Sequence, residues 1–132
     1  MGSTGDIVRQ LYDDFGKGDV AAVLGAMDPK IQWIEADNFL YADGNPYVGP
    51  QAVAEGVFQR IASDFESLAI VPQNFVEGAD TVVVEGRYKG TMRKTGTSVD
   101  AQFAHVWQLQ DDKVIRFQQY TDTKQWAKVA GS

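Results

Sequence analysis

Apolar positions recur at helical spacing near the start of the chain, where Ile7, Val8, Leu11, Tyr12 and Phe15 fall on one face. Ser3 or Thr4 can cap that segment and Gly16-Lys17-Gly18 breaks it, so an amphipathic helix is predicted. Asp19 can cap a shorter helix through Val20, Val23, Leu24 and Met27, and Asp28-Pro29 ends it because proline cannot extend the hydrogen-bond ladder. Ile31, Trp33 and Glu35 then alternate with Gln32 and Ile34, which predicts a short strand with Glu35 on the face of Trp33. The stretch from Asp37 to Gly49 has the turn chemistry of Asp43-Gly44-Asn45-Pro46, yet Phe39, Leu40, Tyr41 and Tyr47 are too apolar for a plain solvent loop and predict that it packs over something. Pro50 opens a third helix through Val53, Val57, Ile61 and Phe65, with Ala54 and Phe58 widening its apolar face.

From Leu68 the period changes to two. Strands are predicted over Leu68 to Phe75, Thr81 to Arg93, Val99 to Gln110 and Val114 to Thr121, and Pro72 argues that the first lies at an edge. Turns fall at Glu77-Gly78-Ala79-Asp80, Lys94-Thr95-Gly96 and Asp111-Asp112, and such short connections favour antiparallel pairing. A short helix from Lys124 to Val129 closes the chain. Helices first and sheet second define the α+β class. In the strand from Thr81, the residues Val82, Val84, Gly86, Tyr88, Gly90 and Met92 share one side, and the two glycines predict a sheet that bends around the helices and encloses a pocket.

Composition narrows the function. With 132 residues, 44% of them hydrophobic, the chain is long enough for one domain with a core, taken to span residues 1–132. A net charge of −6 is the wrong sign for neutralising phosphates, so neither nucleic acid nor an anionic membrane is an expected partner. The lack of cysteine excludes disulfides, thiolate catalysis and cysteine-held zinc, and the single histidine, His105, excludes multi-histidine zinc patterns, so neither metal nor cofactor is expected. Apolar runs are far too short for a membrane span and the first residues lack the pattern of a signal peptide, which leads to a cytoplasmic expectation. No nucleophilic-serine elbow, phosphate loop or dinucleotide glycine pattern is present.

Several segments together resemble the cone-shaped fold of the nuclear-transport-factor-2-like superfamily, and within it the SnoaL-like, ketosteroid-isomerase-related group. They are Leu11-Tyr12 to Gly18-Asp19, Trp33-Ile34-Glu35, Tyr47-Val48-Gly49-Pro50 with Ala52-Val53, Phe103-Ala104-His105-Val106-Trp107, Asp112-Lys113-Val114-Ile115-Arg116-Phe117 and Tyr120-Thr121-Asp122-Thr123. The resemblance implies a strongly curved, mixed or antiparallel sheet wrapped around N-terminal helices. It also implies a general base at Glu35, the isomerases' carboxylate position, while their oxyanion-binding aspartate position corresponds to His105 and their tyrosine position to Leu11, next to Tyr12. In the SnoaL-like polyketide cyclases the acid/base pair corresponds to Asp122 and His105. The fold also hosts hydrolases, dehydratases and plain binding proteins, so it does not fix a reaction.

If Asp111-Asp112 is a two-residue hairpin loop, Gln110 pairs with Lys113, His105 lies opposite Gln118 and Phe103 opposite Tyr120. That count places Phe103, His105, Tyr120 and Asp122 on one pocket-facing side, with Arg116 and Trp107 nearer the turn, and leaves Val83, Val106 and Phe117 on the outer face, where a homodimer would cover them. The candidate catalytic residues are Asp122, His105 and Glu35, and the candidate ligand-binding residues are Trp33, Tyr12, Phe103, Tyr120, Phe58 and Tyr88. A carboxylate and an imidazole facing an apolar cavity suit removal of a proton next to a carbonyl, with a donor holding the resulting oxyanion. Each residue also has a structural role open to it: Asp122 as the cap of the last helix, His105 as a core histidine, Glu35 as a strand-end carboxylate. The leading expectation is therefore a cofactor-independent isomerase, cyclase or lyase acting on a small apolar carbonyl compound. A non-catalytic protein binding such a ligand, and an adapter, are the alternatives.

Overall fold

The computed structural model describes residues 3–131. Helix α1 (Thr4–Gly16) starts at a reciprocal cap in which Ser3 Oγ accepts from the Asp6 amide and the Asp6 carboxylate accepts from the Ser3 amide. Helix α2 (Val20–Gly25) is capped by Asp19, as its sequence predicts. It ends two residues short of Met27, which instead opens strand β1 (Met27–Ile34). Pro29 sits inside that strand rather than before it, tolerated because the pairing with the neighbouring strand is interrupted between Met27 and Gln32.

A 3₁₀ turn (Ala42–Gly44) and strand β2 (Tyr47–Val48) lead to a continuous helical segment of three parts: α3 (Pro50–Val53), a π-helical turn (Ala54–Phe58) and α4 (Gln59–Asp64). The Tyr47 ring is clamped between glycines, since a Cβ on Gly44 or Gly56 would lie 2.4 Å or 2.1 Å from its Cε1. Phe65 ends the predicted helix and begins strand β3 (Phe65–Glu77), followed by β4 (Thr81–Met92), β5 (Ser98–Gln110), β6 (Lys113–Thr121) and α5 (Thr123–Val129).

The six strands form one sheet in the order β2-β1-β6-β5-β4-β3, in which β1 and β6 run parallel and every other pair antiparallel. The sheet is curved and unclosed, with β3 at an edge as Pro72 predicts. The close approach of β3 to the inner face of β4 accounts for both glycines there. A Cβ on Gly86 would come 2.1 Å from the Val71 carbonyl oxygen, and one on Gly90 2.2 Å from that of Ser67. Helices pack into the concavity, so the core is the inner sheet face (Val82, Val84, Val99, Ala101, Leu109, Val114) against Val8, Leu11, Val23 and Val53. No helix among the described residues is long and apolar enough to cross a membrane.

The β5–β6 hairpin departs from the simple count. Asp111 and Asp112 both have positive φ and form the expected two-residue loop, and Gln110 does pair with Lys113. Between Leu109↔Val114 and Gln108↔Arg116, however, Ile115 is an extra residue, a β-bulge that shifts all later pairing by one. His105 therefore lies opposite Gln119 and Phe103 opposite Thr121. One residue of slip reverses a face. Phe117 thus belongs to the core at 2% exposure, not to the outer face, while Tyr120 is 56% exposed and points outward.

Candidate functional site

The concave side of the sheet encloses a cavity of about 640 Å³ of atom-free space, its mouth included. Its walls are almost wholly apolar: Phe58 from the π-turn, Phe39 and Tyr41 from the loop over it, Trp33, Trp107 and Phe117 from the sheet, and Trp126 from α5. Half-buried Phe15, Ile61, Leu68 and Ile70 are also among its lining residues. The prediction that the Asp37–Gly49 segment covers something holds, because Phe39 and Tyr41 are both buried in this wall. Among the described residues, the polar side chains that line it belong to Glu35, Tyr12, Tyr41, Tyr88, His105 and Gln119.

Glu35 lies just beyond the end of β1, 2% exposed, with its backbone held on both sides by Asn45, whose Oδ1 accepts from the Glu35 amide at 2.9 Å while its Nδ2 donates to the Glu35 carbonyl at 2.8 Å. The side chain receives one hydrogen bond, from Trp33 Nε1 to Oε2 at 3.2 Å. Among the described residues Oε1 has no protein donor, yet it is not sealed in the core, so it faces the cavity that Glu35 lines. Burial pushes this carboxyl up to about 7, against the opposing pull of the Trp33 hydrogen bond and the Arg60 charge.

His105 sits on the inner face of β5, 3% exposed, its ring stacked on Phe103 at 3.9 Å. Both ring nitrogens are engaged by tyrosines: Tyr12 Oη lies 2.6 Å from Nδ1 and Tyr88 Oη 2.5 Å from Nε2. Tyr12 Oη also accepts from Trp107 Nε1 at 2.9 Å, and Tyr88 Oη from Gln119 Nε2 at 2.9 Å. The Gln119 amide is oriented unambiguously, because its Oε1 accepts from the Ala36 backbone N–H at 3.1 Å. Desolvation depresses the imidazole to about 3 and raises both phenols far above their ordinary range, so all three are neutral at pH 7.

Of the predicted residues, the fold brings Glu35, His105, Trp33, Tyr12, Phe58 and Tyr88 to this cavity, and Phe103 packs behind the imidazole. It does not bring Asp122 or Tyr120. The Ile115 bulge turns both to the convex side, where they border a shallow groove with Arg87 and Gln102. Asp122 is exposed and caps α5, its Oδ1 accepting from the Gln125 amide at 3.3 Å. Sequence reasoning missed Gln119, Phe117 and Trp126. The first two have the required alternation with Thr121 only once the bulge is known, and Trp126 lies on a helix too short to show a period.

The SnoaL-like domain family matches residues 8–117. An NTF2-like protein from Burkholderia thailandensis E264 is 30% identical and superposes with a TM-score of 0.95 over 100% of both chains. TerC, crystallised with polyporic acid, is 24% identical with a TM-score of 0.85 over 98% of each chain. A putative SnoaL-like polyketide cyclase from Jannaschia sp. CCS1 is 20% identical with a TM-score of 0.80, covering 98% of this chain and 92% of that one. No curated protein matches the sequence.

Proposed function

We propose that this chain, which belongs to the SnoaL-like domain family, is a cofactor-independent acid/base enzyme that removes a proton next to the carbonyl of a small apolar substrate. The observation that carries this reading is Glu35: a buried carboxyl near pH 7 in strength, with one oxygen free toward an apolar cavity. A carboxylate stripped of water is a stronger base, and its matched acidity near neutral pH lets it both take and return a proton. In the reaction Glu35 Oε1 takes the α-proton and the C–H electron pair moves onto the carbonyl oxygen. Hydrogen-bond donors of the tyrosine–histidine cluster stabilise that oxygen. Returning the proton to another carbon gives isomerisation, attack of the carbanion on a second carbonyl gives cyclisation, and expulsion of a leaving group gives a lyase reaction.

Within this reading His105 is a positioning residue, because both of its nitrogens are spent on Tyr12 and Tyr88. Asp122, on the convex side, serves the helix it caps. The fold shared with a putative polyketide cyclase and with a protein crystallised with polyporic acid agrees with a carbonyl ligand. Engagement of both imidazole nitrogens equally suits a second reading, a pocket that binds such a ligand without turning it over.

The test is hydrogen–deuterium exchange. Small ketones, enones and β-dicarbonyl compounds incubated with the protein in D₂O should exchange their α-hydrogens faster than with buffer alone, as read by NMR. Binding without accelerated exchange across the panel would favour the second reading, and neither binding nor exchange would contradict both.

A further inference from the structure

The aromatic rings around the cavity fall into two sets, and among the described residues only the His105 ring pairs with both. One set gathers at the base: Trp33, which holds the Glu35 carboxyl, meets Phe58, Trp107 and Phe117, and Phe58 in turn meets Phe15. The other gathers at Trp126 of α5, which meets Phe39, Phe65 and Tyr88 edge to face, with ring centroids between 5.1 and 5.8 Å apart. Trp126 and these three partners are all buried, whereas Phe15, Ile61, Leu68 and Ile70 are the half-buried apolar part of the lining. Trp126 therefore stands at the closed end, away from the mouth. Its polar tip is turned out of the cavity, since Nε1 donates to Thr121 Oγ1 at 3.1 Å and that hydroxyl donates its own hydrogen to the Gln102 carbonyl at 2.7 Å. Nearby Tyr41 Oη likewise donates away, to Asp64 at 2.7 Å. Trp126, Phe39 and Phe65 thus offer a ligand ring carbon alone. Helix α5 lies outside residues 8–117, so the family match does not account for this wall.

We propose that Trp126 is a specificity-determining residue: it ends an apolar subsite that takes the unreactive hydrocarbon end of the substrate and limits its length. The inference rests on Glu35 as the reacting end of the cavity and assigns what the opposite end accepts. A carbonyl compound held at Glu35 extends toward Trp126, where a hydrocarbon chain leaves water without losing a hydrogen bond, while a polar chain end loses its own. Affinity then grows with each methylene until the chain meets the indole, because a close-packed ring anchored by its N–H does not yield to further volume. The substrate class narrows to carbonyl compounds whose far end is a short hydrocarbon without charge or hydroxyl.

Methyl n-alkyl ketones, from methyl propyl to methyl nonyl ketone, are titrated by intrinsic fluorescence, which Trp33 and Trp107 in the cavity wall still report when Trp126 is replaced. In the native protein affinity should rise about fourfold per methylene and then stop rising at one chain length. Trp126→Leu keeps an apolar helix former and frees volume, so the break should move to a longer chain, with about fourfold gained for each methylene newly admitted. Val129→Ala weakens the same helix at a buried residue that does not line the cavity, and should lower the melting temperature while leaving the break in place. No binding or an unbroken rise in the native protein, an unmoved break in Trp126→Leu, or an equal move in Val129→Ala would each overturn the proposal. If Trp126→Leu does not fold, NMR contacts in the native protein decide. The terminal methyl of the longest tightly bound ketone should lie against the Trp126 ring, and a methyl lying against Phe15 or Ile61 at the mouth would overturn the proposal. A moved break without α-hydrogen exchange would leave this subsite standing and reject the enzymatic reading alone, and exchange with an unmoved break would do the reverse.

Discussion

Trp33 Nε1 donates to Glu35 Oε2 at 3.2 Å from two positions earlier on the same face of the chain, while the Trp33 ring stacks on Phe117 at 3.8 Å. One residue thus supplies part of the cavity wall and the hydrogen bond that holds the carboxyl of Glu35 down against its burial. Phenylalanine keeps the ring and deletes the bond. The ionised carboxylate is the active base, so exchange activity should rise with pH through a midpoint near 7 in the parent, and Trp33→Phe should move that limb to higher pH while plateau activity changes less. A pH–rate profile of both proteins checks this, and an unmoved midpoint would disconnect Trp33 from Glu35.

Stability carries the same signature without any substrate. A carboxyl raised to about 7 in the folded chain, from its ordinary value of 4.5, holds its proton more tightly folded than unfolded. Its contribution is fully present below about pH 4.5, declines as pH rises through that window, and stays lost above about 7. Glu35→Gln has no proton to lose. Its stability relative to the parent should therefore improve between those limits, by a total on the order of 3 kcal/mol, and be flat on either side. Urea unfolding across the pH range reads the difference. His105 contributes an opposite slope below about pH 6.5, common to both proteins, so it cancels in the comparison.

On the convex face a row of valines crosses three strands, Val76 opposite Val83 and Val83 opposite Val106, with Val76 55% exposed. Tyr120 stands on the same face. We expect a second copy of the chain to cover this surface. Light scattering at micromolar concentration should give the mass of a homodimer, and Val83→Lys should shift it toward the monomer. A monomer in the native protein would refute the expectation.

Much of the fold was legible because local rules decide it. The caps at Ser3 and Asp19, the division of β4 into an apolar and a polar face, the bends at Gly86 and Gly90 and the edge placement of Pro72 all follow from residue chemistry within a few positions. The parallel pairing of β1 with β6 joins residues more than eighty positions apart, which periodicity does not encode. Nor does the run Val114-Ile115-Arg116 announce a bulge, since every residue in it is acceptable in a regular strand. That single inserted residue separated the readable part of the site from the unreadable part. Glu35, just past a strand whose alternation with Trp33 sets its face, lies at the cavity as that alternation predicts. His105 and Phe103, upstream of the bulge on β5, fall on the predicted inner face, His105 at the cavity and Phe103 behind its ring. Asp122 and Tyr120, counted across it, were placed on the wrong face, and Gln119 and Phe117 were displaced from the right one.

The claim that Glu35, rather than Asp122, is the base is tested most directly by α-hydrogen exchange of one responsive ketone with two variants measured side by side. Asparagine caps a helix about as well as aspartate, and neither amide can accept a proton in this role, so each substitution removes basicity while sparing structure. Glu35→Gln should lower the exchange rate roughly 100-fold or more, and Asp122→Asn should leave it within about twofold of the parent. Full activity in Glu35→Gln together with loss in Asp122→Asn would contradict the account and move the chemistry to the convex face of the sheet.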